Sequence, residues 1–149
     1  MKNEFVSYEI ALALEELGFD EPCLIDYQIE NNELFTEFHE DGITNSKLHK
    51  ITDELNEDQI KFEEELYDYS YAVPLFQQAF KWFENTYGLF VDRQTMCSVN
   101  EVMSMDYYIH SINGTWKIDL PADYSEFDSY KANTACLEKL IEIVKAQKE

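Results

Sequence analysis

The chain is short of the residues that build tight functional turns: among 149 positions it has 4 glycines and 3 prolines. It contains no phosphate-cradling glycine loop and no Gly-x-Ser-x-Gly nucleophile turn. Cysteine is as scarce. Cys23, Cys97 and Cys136 are odd in number, widely spaced and without a Cys-x-x-Cys pair, so neither a disulfide framework nor a thiolate zinc site is indicated. Glu4, Glu9, Glu15, Glu16 and Asp20 fall where a secretory leader would need an apolar run. Reduced thiols in a cytoplasmic protein are expected. No stretch approaches the roughly 18 apolar residues of a membrane-spanning helix, so no bilayer span is predicted.

Positive charge is the other shortage. Eleven Lys and Arg face 31 Asp and Glu, a net charge of −20. The imbalance is lopsided: residues 1–70 hold 20 acidic and 4 basic side chains, residues 71–149 hold 11 and 7. Nucleic-acid binding works through cations that displace counterions from phosphates, and this field has the wrong sign for it. An anionic membrane surface is repelled for the same reason. Direct nucleic-acid and membrane partners are therefore not expected, and a protein partner, if there is one, should be basic.

What is present is a core. The composition is 45% apolar and 15% aromatic, with ten Phe and ten Tyr, which separates the chain from disordered acidic sequences. A helix is predicted from Ser7 to Leu17, capped by Ser7 and ended by Gly18, with Ile10, Ala13, Leu14 and Leu17 on its apolar face. Cys23–Ile29 and Leu34–Phe38 form a predicted hairpin around Asn31-Asn32. A loop is expected at 39–51, then an acidic surface helix over Thr52–Tyr69 with Leu55, Gln59, Phe62 and Leu66 as its thin apolar stripe. Pro74 should open a broad aromatic helix running to Tyr87. Strands are favoured from Leu89 to Leu120, with Asn113-Gly114 as a hairpin turn joining Tyr107–Ile112 to Thr115–Leu120. Ser129 should cap a last helix whose apolar face includes Cys136, Leu137, Leu140, Ile141 and Val144. The resulting expectation is an α+β fold, one domain over 1–149, with an antiparallel sheet of about four strands and three to four helices packed on one face.

Three segments carry a resemblance: Ser7-Tyr8-Glu9-Ile10-Ala11 with Glu16-Leu17-Gly18-Phe19-Asp20-Glu21-Pro22-Cys23; Pro74-Leu75-Phe76-Gln77-Gln78-Ala79-Phe80-Lys81-Trp82-Phe83; and Ala135-Cys136-Leu137-Glu138-Lys139-Leu140-Ile141-Glu142. Together they resemble a family of small proteins, without assigned activity, from gut bacteria of the Bacteroides group and their phages and prophages. This implies a phage or prophage origin and carries over no catalytic residue. The chain departs from the family pattern in the long acidic stretch Thr52–Tyr69.

Site chemistry is thin. His39, His49 and His110 have no ligand partner at helical spacing, and no metal or cofactor is predicted. His39 with Glu40 and Asp41 could attract a stray divalent cation, but reads first as a solvated loop. Asp123–Asp128 lacks the glycine turn and terminal glutamate of a calcium loop. Cys97 could meet His110 across a sheet as a nucleophile pair, although cysteine is ordinarily a small buried hydrophobe. No catalytic residue is assigned.

The acidic segment is the strongest functional candidate. Asp53, Glu54, Glu57, Asp58, Glu63, Glu64, Glu65 and Asp68, beside Phe62, Tyr67, Tyr69 and Tyr71, could present phosphate-like charge to the basic groove of another protein. Its plain alternative is a solvated face that keeps the chain soluble. The functional expectation is a non-enzymatic accessory protein that binds another protein through Thr52–Tyr71. The alternative is a small hydrolase-type enzyme with an unrecognised site. A homodimer through the last helix is allowed if Leu137, Leu140, Ile141 and Val144 are left outside the core.

Overall fold

In the computed structural model the described residues are 4–30, 33–61, 70–97, 99, 102–118 and 129–148. The fold is α+β, and the chain divides into two compact units, Phe5–Leu75 and, with the first four residues, Phe76–Glu149. Each unit has its own three-stranded antiparallel sheet. This corrects the expected single sheet of about four strands.

The first unit opens with α1 (Tyr8–Glu16). Ser7 is extended and its Oγ accepts a hydrogen bond from the Ile10 N–H at 3.3 Å, while Glu9 sits in the first turn where the helix dipole favours an anion. At the other end Gly18 takes φ +94°, and the N–H groups of Gly18 and Phe19 bond the carbonyls of Glu15 and Leu14. This is the left-handed cap that a glycine permits. The buried face is Ile10, Ala11, Leu14 and Leu17; Ala13, expected inside, is half-buried. The helix packs on β3 and is rotated slightly from the expected stripe to do so.

Strands β1 (Cys23–Glu30) and β2 (Glu33–Ile43) form the predicted hairpin, in register from Glu30↔Glu33 to Ile25↔Phe38. Asn31-Asn32 lie outside the described residues. Beyond Phe38 the pairing jumps to Cys23↔Ile43, a bulge built on Gly42 at φ +84°. A Cβ on Gly42 would stand 3.1 Å from the Pro22 Cβ, so both the backbone and the space call for glycine here. The expected loop at 39–51 is therefore the end of a strand and the start of α2 (Asn45–Lys61). Thr44 caps that helix through Oγ1, which accepts from the Lys47 N–H at 3.2 Å, and Asp20 accepts from the Ser46 N–H at 2.7 Å.

Buried Asn45 then ties the unit together. Its Nδ2 donates to the Phe19 carbonyl at 2.8 Å and its Oδ1 accepts from the Ala72 N–H at 2.9 Å. Ala72 belongs to β3 (Tyr71–Val73), a strand too short to show a pattern, which completes the order β2-β1-β3. Pro74 does not open a helix. Its carbonyl accepts from the Val6 N–H at 3.1 Å and Leu75 bridges Phe5, so helix α3 starts at Phe76.

In the second unit α3 (Phe76–Tyr87) buries Phe76, Ala79, Trp82 and Phe83, the broad aromatic stripe expected of it. Phe76 meets Tyr130 edge-on at 5.5 Å, and Trp82 meets both Phe83 and Tyr87 edge-on. Strands β4 (Phe90–Cys97), β5 (Val102–Ser111) and β6 (Gly114–Lys117) pair in chain order. Ser111 faces Gly114, so the last turn is centred on Ile112-Asn113, one residue before the expected Asn113-Gly114. Helix α4 (Ser129–Lys148) packs on α3 and β5. Its Leu137, Leu140, Ile141 and Val144 are all buried within the chain, so the condition for a dimer seam on this face is not met. Among the described residues no helix is long and apolar enough to cross a membrane.

Candidate functional site

The acidic segment is only partly in view. Asp53, Glu54 and Glu57 are exposed on α2 and Asp58 lies on the same helix; Phe62, Glu63, Glu64, Glu65, Tyr67, Asp68 and Tyr69 fall outside the described residues. The structure bears on both ends of the expected contact surface, and corrects the first. Thr52 is buried, and Tyr71 is a strand residue whose ring meets Tyr8 edge-on at 5.7 Å. The helix turns Asn45, Leu48 and Thr52 inward, while Leu55, expected on the inner stripe, is exposed together with Ile51. The true inward stripe begins at Asn45, nearly three turns before Leu55, where the apolar spacing places its start.

Sequence reasoning missed a second acidic surface. Among the described residues β2 pairs only with β1, and none of them pairs with its outer edge. Over eleven residues it exposes Leu34, Phe35 and Phe38, the last at 66%, among Glu33, Glu37, Glu40 and Asp41, with no Lys or Arg on the strand. An open edge offers unpaired backbone donors and acceptors to another chain, and its side chains decide which chain. The missed signal was the continuation Phe38–Ile43, which the polar His39-Glu40-Asp41-Gly42 run disguised as a loop.

On the inner strand, Asp26 is fully buried and directly opposite Glu37. Gln28 Nε2 donates to Asp26 Oδ2 at 3.1 Å and to Glu37 Oε2 at 3.0 Å, so one amide holds two carboxylates together. His39 Nε2 lies 3.6 Å from Asp26 Oδ2. Asp26 Oδ1 and His39 Nε2 are buried atoms without a hydrogen-bond partner. Burial pushes the Asp26 carboxyl above its ordinary range and the charge of Glu37 adds to the rise, while Gln28, His39 and the Glu37 backbone oppose it.

The nucleophile pair does not form. Cys97 faces Val102 at one end of the β4–β5 ladder and His110 faces Phe90 at the other, roughly 24 Å apart at about 3.4 Å per residue. His110 instead meets Asp92 Oδ2 at 3.3 Å through Nε2 and Thr115 Oγ1 at 3.1 Å through Nδ1. This Asp–His–Thr row lies on open sheet surface, where screening weakens each contact. Burial pushes the Cys136 thiol up to about 12, the reverse of an activated nucleophile. A shallow groove lined by Trp116, Lys139, Glu142, Ile143, Ala146 and Gln147 has its one cation and one anion paired with each other at 2.9 Å.

No protein-family model, no curated protein and no solved structure matches the chain.

Proposed function

We propose that this is a non-enzymatic binding protein whose first unit docks a basic, partly apolar segment of another protein. The observation that supports it is β2: a long edge, unpaired among the described residues, on a strand where Leu34, Phe35 and Phe38 stand among four carboxylates. An extended partner strand could add backbone hydrogen bonds along that edge, its apolar side chains covering the phenylalanines and its cations meeting the carboxylates. Asp53, Glu54 and Glu57 on α2 would raise the rate of encounter with such a segment. A second copy of the same strand is a poor occupant, because it would bring like charges together. In this reading the protein works in the cytoplasm, and the phage or prophage setting suggested by the resemblance suits a protein that acts by occupying a host protein.

Affinity capture from host lysate at low and high salt tests the reading, using the wild-type chain, a Phe38→Glu variant and a Glu63→Gln, Glu64→Gln, Glu65→Gln variant. A basic partner held at low salt, released at high salt and lost from Phe38→Glu is the expected result. The triple glutamine variant reports how far the acidic segment contributes to that capture. A partner that stays bound through both variants and through high salt would overturn the proposal. Activity assays on the full-length chain bear on the hydrolase alternative, to which the groove beside α4 lends no support, since its Lys139 and Glu142 are paired with each other.

A further inference from the structure

We propose that Asp26, Glu37 and His39 form a binding site for one divalent transition-metal cation of the zinc and manganese class. The three residues each offer a ligand atom, and those atoms lie within 4.8 Å of one another. Ligands at about 2.0–2.2 Å from such an ion stand a little over 3 Å apart, so closing the shell takes a shift of roughly 1 Å. Glu37 is exposed and His39 half-buried, which leaves both side chains the freedom to make that shift.

The strand geometry explains why these three converge. Glu37 and His39 alternate onto the same side of β2, and Asp26 is the direct cross-strand neighbour of Glu37. The bulge that starts after Phe38 sits next to His39, where bulges commonly re-aim a side chain.

A buried carboxylate oxygen left without a partner supplies the independent observation. Asp26 is fully buried; its Oδ2 accepts from Gln28, but its Oδ1 has no partner, and a buried carboxylate only half satisfied is costly. No Lys or Arg ion pair reaches Asp26 or Glu37 among the described residues; the cationic candidate beside them is His39, at 3.6 Å. Gln28 is neutral, yet it aligns both carboxylates from within, as outer groups do for metal ligands. A cation between Asp26, Glu37 and His39 would satisfy the two orphaned atoms at once. One imidazole nitrogen with two carboxylates suits zinc, manganese or iron(II) rather than calcium or magnesium, which favour all-oxygen sets. Water entering beside exposed Glu37 would complete the shell. The proposal stands apart from the edge-strand reading, since the cation sits between β1 and β2 and needs no protein partner.

Chelator-treated full-length protein, with Zn2+ or Mn2+ added singly, tests it by calorimetric titration and by melting temperature. Saturable binding of one ion per chain with a raised melting temperature is expected, with no comparable rise from Mg2+ or Ca2+ at equal concentration. Asp26→Asn should melt above the wild type without metal, because it removes the buried charge, and should lose the metal-induced rise. His39→Ala and Glu37→Gln should lose saturable binding, Gln28→Ala should weaken it about tenfold, and the Glu40→Gln, Asp41→Asn pair should bind like wild type. A metal-induced rise that survives Asp26→Asn, or no saturable site for any transition metal, would overturn the proposal. Should Asp26→Asn not fold, visible absorption of bound Co2+ in wild type and its loss in His39→Ala decide the same question.

Discussion

The two units spend their side chains differently. Residues 5–75 carry nineteen acidic and three basic side chains, and residues 76–149 carry eleven and seven. Among the described residues the first unit includes every buried polar one, Asp26, Asn45 and Thr52, and nothing pairs with the outer edge of its long strand β2. The second encloses Phe76, Trp82, Phe83, Tyr107 and Ile109 with an almost wholly apolar face of α4. Apolar burial is non-directional and tolerant of small displacement, whereas buried polar groups need specific partners. The first unit therefore rests more on directional contacts, and the second follows the ordinary way of making a core.

The largest expected effect breaks the apolar side of this contrast. Phe83→Ala should cost about 3–5 kcal/mol, through lost transfer energy and a residual cavity. Differential scanning calorimetry on this variant also tests the single-domain proposal. One displaced transition supports it; a second transition left at the wild-type temperature would show that the units unfold separately.

Next is the polar clamp of the first unit. Asn45→Ala strands the Phe19 carbonyl and the Ala72 N–H, and should cost about 2–3 kcal/mol by urea unfolding. A cost below ~0.5 kcal/mol would mean that water replaces the clamp, and would erase much of the contrast. Ser7→Ala should cost about 1 kcal/mol, since α1 loses its side-chain cap.

The smallest effect is kinetic and sits in the second unit. Because burial raises the Cys136 thiol to about 12, its protonated form is the one the fold favours. Its contribution is complete below the unfolded value near 9 and is lost as pH rises from there toward 12. At pH 8–9, alkylation of Cys136 in a Cys97→Ser background should be negligible in the native state and fast in urea, read by mass spectrometry. Rapid native labelling would show that the core around α4 opens readily.

Some of this was legible in the residues. Ser7 and Gly18 bracket α1, the Phe76–Phe83 stripe marks α3, and the Cys136–Val144 stripe marks α4, because caps and helical periodicity are local properties. The hairpin at 23–38 was visible for the same reason. Pro74 misled because proline is compatible with a first helical turn and with an extended bridge alike. Leu55 misled because an isolated leucine fits a stripe in either phase. The acidic candidate was legible as composition, and Asp53, Glu54 and Glu57 are exposed, but charge on a sequence does not mark where a contact surface ends.

By itself the sequence determined the class of fold, the principal helices and the sign of the field around the first unit, all of which follow from local pattern and summed charge. Tertiary structure alone decided that β2 continues through Gly42 to Ile43, that three residues at 71–73 complete a sheet, and that Asp26, Glu37 and His39 meet. Strand register is the reason: pairing across a sheet joins residues distant in sequence, and no local periodicity states which of them will face each other.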